Sequence, residues 1–217
     1  MWPDDASAPA VKVCGITRPG DAEACARLGA WGIGVVLAEA SPRRVDAAGA
    51  AAVCEAVPAG VARVGVFVDA SPAEVASVVA AAGLTHAQLH GAMDAVAVRA
   101  TAGVPVIQGV RVDGPAAIDR ARASAADMVL LDAAVAGMHG GTGTTFDWSL
   151  LEGGALGRPF ALAGGLRPDT VAGAVTRTSP LIVDVSSGVE SAPGVKDHDL
   201  VAAFLAAVAG ARPRAAA

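Results

Sequence analysis

Short runs of β-branched and other apolar residues alternate with Ala-rich stretches of helical spacing along the whole chain, and no other feature restricts its fold as much. A buried strand followed by a helix long enough to cover it is the repeating unit of a parallel sheet. The strands expected are 11–14, 32–37, 63–68, 86–89, 104–110, 127–131, 159–163 and 181–185, each followed by a helix. Eight such units in 217 residues leave no room for an inserted domain. The expectation is a single (β/α)8 barrel over 11–210, with residues 1–10 and 211–217 as frayed termini. An open sheet of six units is the alternative, and it leaves two strand-like runs without a place. Pro19-Gly20-Asp21, Ser71-Pro72-Ala73-Glu74 and Pro168-Asp169 each put a cap or an early proline before an Ala/Val-rich stretch, so helices are expected to begin there.

Composition narrows the function classes. Only 3% of the chain is aromatic against 53% hydrophobic overall, so the core has to be built from aliphatic and small residues. A net charge of −5, with no block of Lys or Arg, argues against a nucleic-acid partner. The apolar run 201–211 is about half the length a membrane span needs, and the acidic N-terminus lacks a basic, apolar leader, so a soluble cytoplasmic protein without a membrane partner is expected. The odd count of cysteines, Cys14, Cys25 and Cys54, without a CxxC pair points to reduced thiols. Cys25 and Cys54 fall within helical patterns and read as small buried hydrophobes.

In a barrel of this kind every second strand residue points inward, and reactive groups gather where the strands end and the βα loops begin. Lys12 and Cys14 share one face of strand 1, and Ile182 and Asp184 share one face of strand 8, so the polar members should point into the barrel. Cys14 ends its strand before Gly15-Ile16-Thr17, which puts its thiol at the mouth. A free thiol titrates near about 8.5 and needs a cation close by to act as a base. Lys12, one pleat below, is a candidate for that cation, with Asp184 next door as a group that would neutralise it. From the residues alone, a catalytic Cys14 and an inert buried one fit equally. Asp132 ends strand 6 after an apolar run, and a catalytic acid and a simple loop cap compete there in the same way.

Two loops suit a phosphate: Ala163-Gly164-Gly165-Leu166 after strand 7 and Ser186-Ser187-Gly188-Val189 after strand 8. Glycines let backbone N–H groups approach an anion closely, hydroxyls add donors, and barrels often bind phosphate after strands 7 and 8. Gly140-Gly141-Thr142-Gly143, with Phe146-Asp147-Trp148, is expected to fold the strand-6 loop back over the mouth. His86, Gln88 and His90 share a face of strand 4, but two strand residues four apart lie about 13 Å from each other, too far for one metal ion. His90 therefore reads as a pocket-lining donor or a core histidine, and no metal site is expected. Arg43 and Arg44, after Ser41-Pro42, bring two cations to the same rim, the ordinary reading of which is solvated surface charge.

Taken together, several segments resemble the phosphoribosylanthranilate isomerase family. They are Val-Lys-Val-Cys-Gly-Ile-Thr (11–17), Ser-Pro-Arg (41–43), Val-Gly-Val-Phe-Val (64–68), Gln-Leu-His-Gly (88–91), Gly-Gly-Thr-Gly (140–143) with Phe-Asp-Trp (146–148), and Asp-Val-Ser-Ser-Gly-Val-Glu (184–190) with Pro-Gly-Val-Lys-Asp (193–197). The similarity runs from residue 11 to about 209, and the order of the motifs at successive strand ends makes it specific. The resemblance implies an Amadori rearrangement of a phosphosugar in tryptophan biosynthesis, with no redox cofactor and no metal. It implies Asp132 as the acid that protonates the ribose ring oxygen and Cys14 as the base at sugar C2. It places Arg43, preferred over Arg44 because it directly follows Ser-Pro, at the anthranilate carboxylate, for which a planar guanidinium is suited. His90, Gly141 and Asp184 would line the substrate site, and Gly164, Gly165, Ser186, Ser187 and Gly188 would hold the phosphate.

Two other readings compete. A related barrel isomerase of the histidine pathway, or one acting on both substrates, is disfavoured by Cys14, since those enzymes resemble this one but use aspartate as the strand-1 base. A silent phosphosugar-binding subunit is disfavoured by the presence of both Cys14 and Asp132. Monomer and homodimer are both compatible with the sequence.

Overall fold

The computed structural model describes residues 2–4, 8–132, 151 and 156–211. Eight parallel strands close in sequence order into a barrel, the last pairing back onto the first. They are β1 (Ala10–Cys14), β2 (Gly32–Val36), β3 (Ala62–Val68), β4 (His86–His90), β5 (Val106–Arg111), β6 (Met128–Asp132), β7 (Phe160–Ala163) and β8 (Ile182–Val185). Outside them lie α1 (Pro19–Arg27), α2 (Ala47–Glu55), α3 (Pro72–Ala82), α4 (Ala95–Ala102), α5 (Pro115–Ala123), α6 (Val171–Thr178) and α7 (His198–Gly210). The expected closed barrel is therefore what forms, and the six-unit open sheet is ruled out. The helix expected after strand 6 falls in 133–155, where Leu151 alone is described.

Local chemistry explains most boundaries. At α3 the hydroxyl of Ser71 accepts from the Glu74 amide while the Glu74 carboxylate accepts from the Ser71 amide, a reciprocal cap that satisfies two end donors. β5 begins at Val106 and not at 104, because Pro105 has no N–H to give the ladder and contributes only its carbonyl, which accepts from Ala87 at 3.0 Å. α6 begins at Val171, later than Pro168-Asp169 suggested. A turn closed between Arg167 and Thr170, with the Arg167 amide donating to Thr170 Oγ1 at 3.0 Å, uses those two residues first.

The alternation along each strand sorts the core into two layers. Outward residues such as Val11, Val13, Ile33, Val35 and Val183 pack under the helices, where Cys25 and Cys54 are also buried. Inward residues, among them Ala62, Val64, Ile107, Met128, Leu130, Ala161 and Ile182, fill the barrel itself. Its base is closed by an aromatic group in which the Trp2 and Trp31 rings lie 4.8 and 5.6 Å from that of His86. Burial there pushes His86 down to about 4, so the ring is neutral and behaves as part of the apolar plug.

β8 does not lead straight into its helix. A 3-10 turn, Ser187–Val189, and a small antiparallel hairpin of β9 (Glu190–Ala192) and β10 (Val195–Lys196) intervene before α7. Thr17 donates to the Gly194 carbonyl at 2.6 Å, and Asp21 accepts from the Lys196 amide at 3.1 Å, so this hairpin is stitched to the loop and helix that follow β1.

Candidate active site

The inward faces of β1 and β8 meet as the pattern of strand residues required. Lys12, 1% exposed, places Nζ 2.9 Å from Asp184 Oδ1 inside the barrel. An ammonium buried this deeply needs a partner, because desolvating an unpaired charge is prohibitive. Burial alone would depress Lys12, but Asp184 and Cys14 outweigh it and hold the ammonium above its ordinary range. Cys14 sits one pleat higher, and burial pushes its thiol up while the charge and hydrogen bond of Lys12 pull it back. Room for this pair comes from Gly34 on β2. A Cβ there would stand 2.8 Å from Cys14 Sγ and 3.1 Å from Lys12 Nζ, so any larger residue would push the cation and the thiol apart.

Across the mouth, Asp132 is the last residue of β6 and keeps contact with solvent. Desolvation by the surrounding rim raises its carboxyl above the ordinary carboxylate range, with His90 opposing and Asp184 reinforcing the shift. His90 ends β4, and burial lowers it, which favours the neutral ring. The Gln88 amide donates to its Nε2 at 2.8 Å, leaving the ring proton on Nδ1. Gly109 on β5 makes the space, since a Cβ there would fall 2.5 Å from the imidazole. Gln88 Oε1 is buried without a partner among the described residues. The two histidines of this strand serve opposite ends of the barrel: His86 in the basal plug and His90 at the mouth.

The glycine loops after β7 and β8 touch. Gly164 and Gly165 take φ values of +105° and +64°, the left-handed region that side chains avoid. Gly188 lies so close to the carbonyl oxygen of Leu166 that a Cβ would collide with it. Both loops open onto a cavity of about 240 Å³ at the C-terminal ends of the strands. Its lining includes Cys14, His90, Asp132, Asp184, both glycines of the first loop and Ser186, Ser187 and Gly188 of the second. Nine of the residues singled out from sequence thus share one chamber, joined by Gln88 from the same face of β4. Gly141 lies outside the described residues.

Arg43 stands beside this chamber and not in its wall. Its Nε donates to Glu190 Oε1 at 2.8 Å and its Nη2 to Oε2 at 2.6 Å. One edge of the guanidinium is therefore occupied by Glu190, and Nη1 has no hydrogen bond among the described residues. Arg44 points elsewhere, 46% exposed and 3.5 Å from Glu39, as a solvated surface charge would. Neither Glu190 nor its second partner, the buried Lys196 at 2.7 Å, has a role assigned from the sequence. Both lie inside the strand-8 motifs, but their meeting depends on the hairpin fold, which no periodicity announces. Hydrogen bonds from Arg43 and Lys196 overcome burial and hold the Glu190 carboxyl below its ordinary range.

A closed barrel that gathers a thiol, a paired ammonium, a carboxyl and two touching glycine loops around one mouth is the frame of a (β/α)8-barrel enzyme. Residues 11–207 match the family model described as N-(5'phosphoribosyl)anthranilate (PRA) isomerase. An N-(5'-phosphoribosyl)anthranilate isomerase of Rhodospirillum centenum is 45% identical over 208 residues, covering 92% of this chain and 97% of that one. One from Myxococcus xanthus is 47% identical over 91% of this chain and 94% of its own. Among solved structures, the Thermotoga maritima phosphoribosyl anthranilate isomerase superposes with a TM-score of 0.84 at 37% identity, covering 93% of this chain and 99% of that one. A phosphoribosyl anthranilate isomerase holding reduced 1-(o-carboxyphenylamino)-1-deoxyribulose 5-phosphate gives 0.81 at 35%, with the same coverage. The chain belongs to the phosphoribosylanthranilate isomerase family.

Proposed function

We propose that this protein converts N-(5'-phosphoribosyl)anthranilate to 1-(2-carboxyphenylamino)-1-deoxyribulose 5-phosphate in tryptophan biosynthesis, with Cys14 and Asp132 as its base and acid. The observation that carries this reading is the single chamber in which a thiol backed by a buried ammonium faces a carboxyl across from two anion-suited loops. The reduced product bound to a structural neighbour supports it.

Asp132 gives its proton to the ribose ring oxygen as the bond from that oxygen to C1 breaks, and the nitrogen lone pair forms the C1=N bond. The Cys14 thiolate then takes the proton from C2, whose electrons form the C1–C2 double bond as the iminium accepts an electron pair. Tautomerisation of the resulting enaminol leaves the ketone at C2. Asp132 suits the first step because its surroundings favour the protonated carboxyl. Lys12 suits the second because its charge stabilises the thiolate, while Asp184 keeps Lys12 charged and in place. Gly164, Gly165, Ser186, Ser187 and Gly188 hold the phosphate, Arg43 meets the carboxylate, and His90 and Asp184 line the space between. Gly141 belongs to the same proposal as part of the strand-6 loop.

We propose further that the reaction takes place in the cytoplasm, within a catalytic domain spanning 11–210. Among the described residues no helix is long and apolar enough to cross a membrane. The protein works as a monomer or a homodimer, and a solved relative is described as dimeric. The test is direct: purified protein added to freshly generated phosphoribosylanthranilate should abolish the anthranilate-type fluorescence, and a chelator should leave that rate unchanged. Fluorescence that persists with folded protein would refute the assignment.

A further inference from the structure

Glu190 links Arg43, through Lys196, to the loop that follows β8. Its Oε1 accepts from Arg43 Nε at 2.8 Å and Lys196 Nζ at 2.7 Å, and its Oε2 accepts from Arg43 Nη2 at 2.6 Å. Lys196, whose side chain is fully buried, also donates to the carbonyl oxygen of Ser186 at 3.2 Å, in the loop assigned to the phosphate. Gly15, directly after Cys14, permits the arrangement. At φ +74° it has no side chain, and a Cβ there would lie 2.5 Å from Arg43 Cδ and 2.9 Å from Ser186 Oγ. Two cations share one carboxylate. Without that carboxylate the two cations would repel each other and nothing would fix the arginine's direction.

We propose that Glu190 is a positioning residue: it fixes Arg43 and, through Lys196, ties it to the phosphate loop, so that the sites for the two anionic ends of the substrate form one rigid unit. The inference rests on the function proposed above. It explains why one edge of Arg43 is given up to protein: the guanidinium keeps a single direction in which to meet a carboxylate. A ligand with one anionic group uses only one end of this unit, whereas a ligand carrying a phosphate and a carboxylate at the right separation finds both ends already in place. Glu190 in this way selects for substrates with two anionic ends, although it touches neither.

The experiment is a double-variant cycle read by binding of reduced 1-(o-carboxyphenylamino)-1-deoxyribulose 5-phosphate, with inhibition by inorganic phosphate measured alongside. Glu190→Gln is expected to weaken the analogue about 10-fold and to raise KM in parallel, with kcat within about threefold of the wild type. Its Ki for inorganic phosphate should rise about threefold, because only the Lys196 link is felt there. In an Arg43→Gln background, the same change should cost no more than that remaining threefold or so. A full 10-fold loss in both backgrounds, or no change in either, overturns the inference, since a merely structural glutamate would lower Tm without depending on Arg43. Should Glu190→Gln fail to fold, Glu190→Asp, which keeps the charge but draws it back by one methylene, carries the same expectations. Wild-type protein that binds no analogue overturns the function and this inference together; wild-type binding with unchanged variants overturns this inference alone.

Discussion

In the proposed mechanism Asp132 gives a proton and Cys14 takes one, so the reactive form pairs a protonated carboxyl with a thiolate. Burial raises both groups above their ordinary ranges, which favours the acid role of Asp132, while the charge of Lys12 opposes the shift at Cys14. The reactive form therefore holds one proton between the two groups. In acid both groups are protonated and one proton must leave; in base both are ionised and one must return. The profile of kcat/KM against pH should therefore be flat between the two titrations, falling on the acid side with Asp132 and on the alkaline side with Cys14. The check pairs that profile with the rate at which iodoacetamide alkylates Cys14, followed by mass spectrometry to separate it from Cys25 and Cys54, both pushed up to about 11. An alkaline limb that does not coincide with the Cys14 alkylation limb would remove the thiol from the base role. The inward direction of Lys12 and Cys14 was legible in the sequence, because strand parity needs no knowledge of neighbours. The clearances left by Gly34 and Gly109 were not, since a glycine shows its purpose only when the side chain it makes room for comes from another strand.

At the scale of elements, all eight strands lie within a residue or two of where the sequence placed them, and the largest shift, at the start of β5, follows from Pro105. The hairpin of β9 and β10 was not, because strands of three and two residues with polar members carry no period to read. That hairpin supplies Glu190 and Lys196, so the part of the site that escaped the sequence lies in the element that escaped it. The contact between the loops after β7 and β8 gives a sharp expectation. Gly188→Ala puts a methyl group against the Leu166 carbonyl, a backbone atom that cannot swing aside, and should cost about 1–3 kcal/mol of strain while pushing the loops apart. Its Ki for inorganic phosphate should rise about 10-fold or more, whereas Gly173→Ala in α6, where an added methyl meets nothing within 4 Å, should leave the Ki unchanged. Equal behaviour of the two variants would mean that this contact does not shape the phosphate site.

Across the whole molecule, the barrel divides its labour by height. The base is sealed by Trp2, Trp31 and a neutral His86, the middle is aliphatic, and ionisable side chains gather toward the mouth. Lys12 is the deepest of these, and its pairing with Asp184 lets the charge lie under the thiol instead of in solvent. The proposed function correspondingly gives binding and chemistry to separate groups: the loops after β7 and β8 and Arg43 would grip the ends of the substrate, while Cys14 and Asp132 would move protons between them. The most direct measurement is therefore kcat, alongside the affinity for reduced 1-(o-carboxyphenylamino)-1-deoxyribulose 5-phosphate, in Cys14→Ala. The account predicts a folded protein that binds the analogue within a few-fold of the wild type and loses about 100-fold or more in kcat. A near-normal kcat in that variant would contradict it.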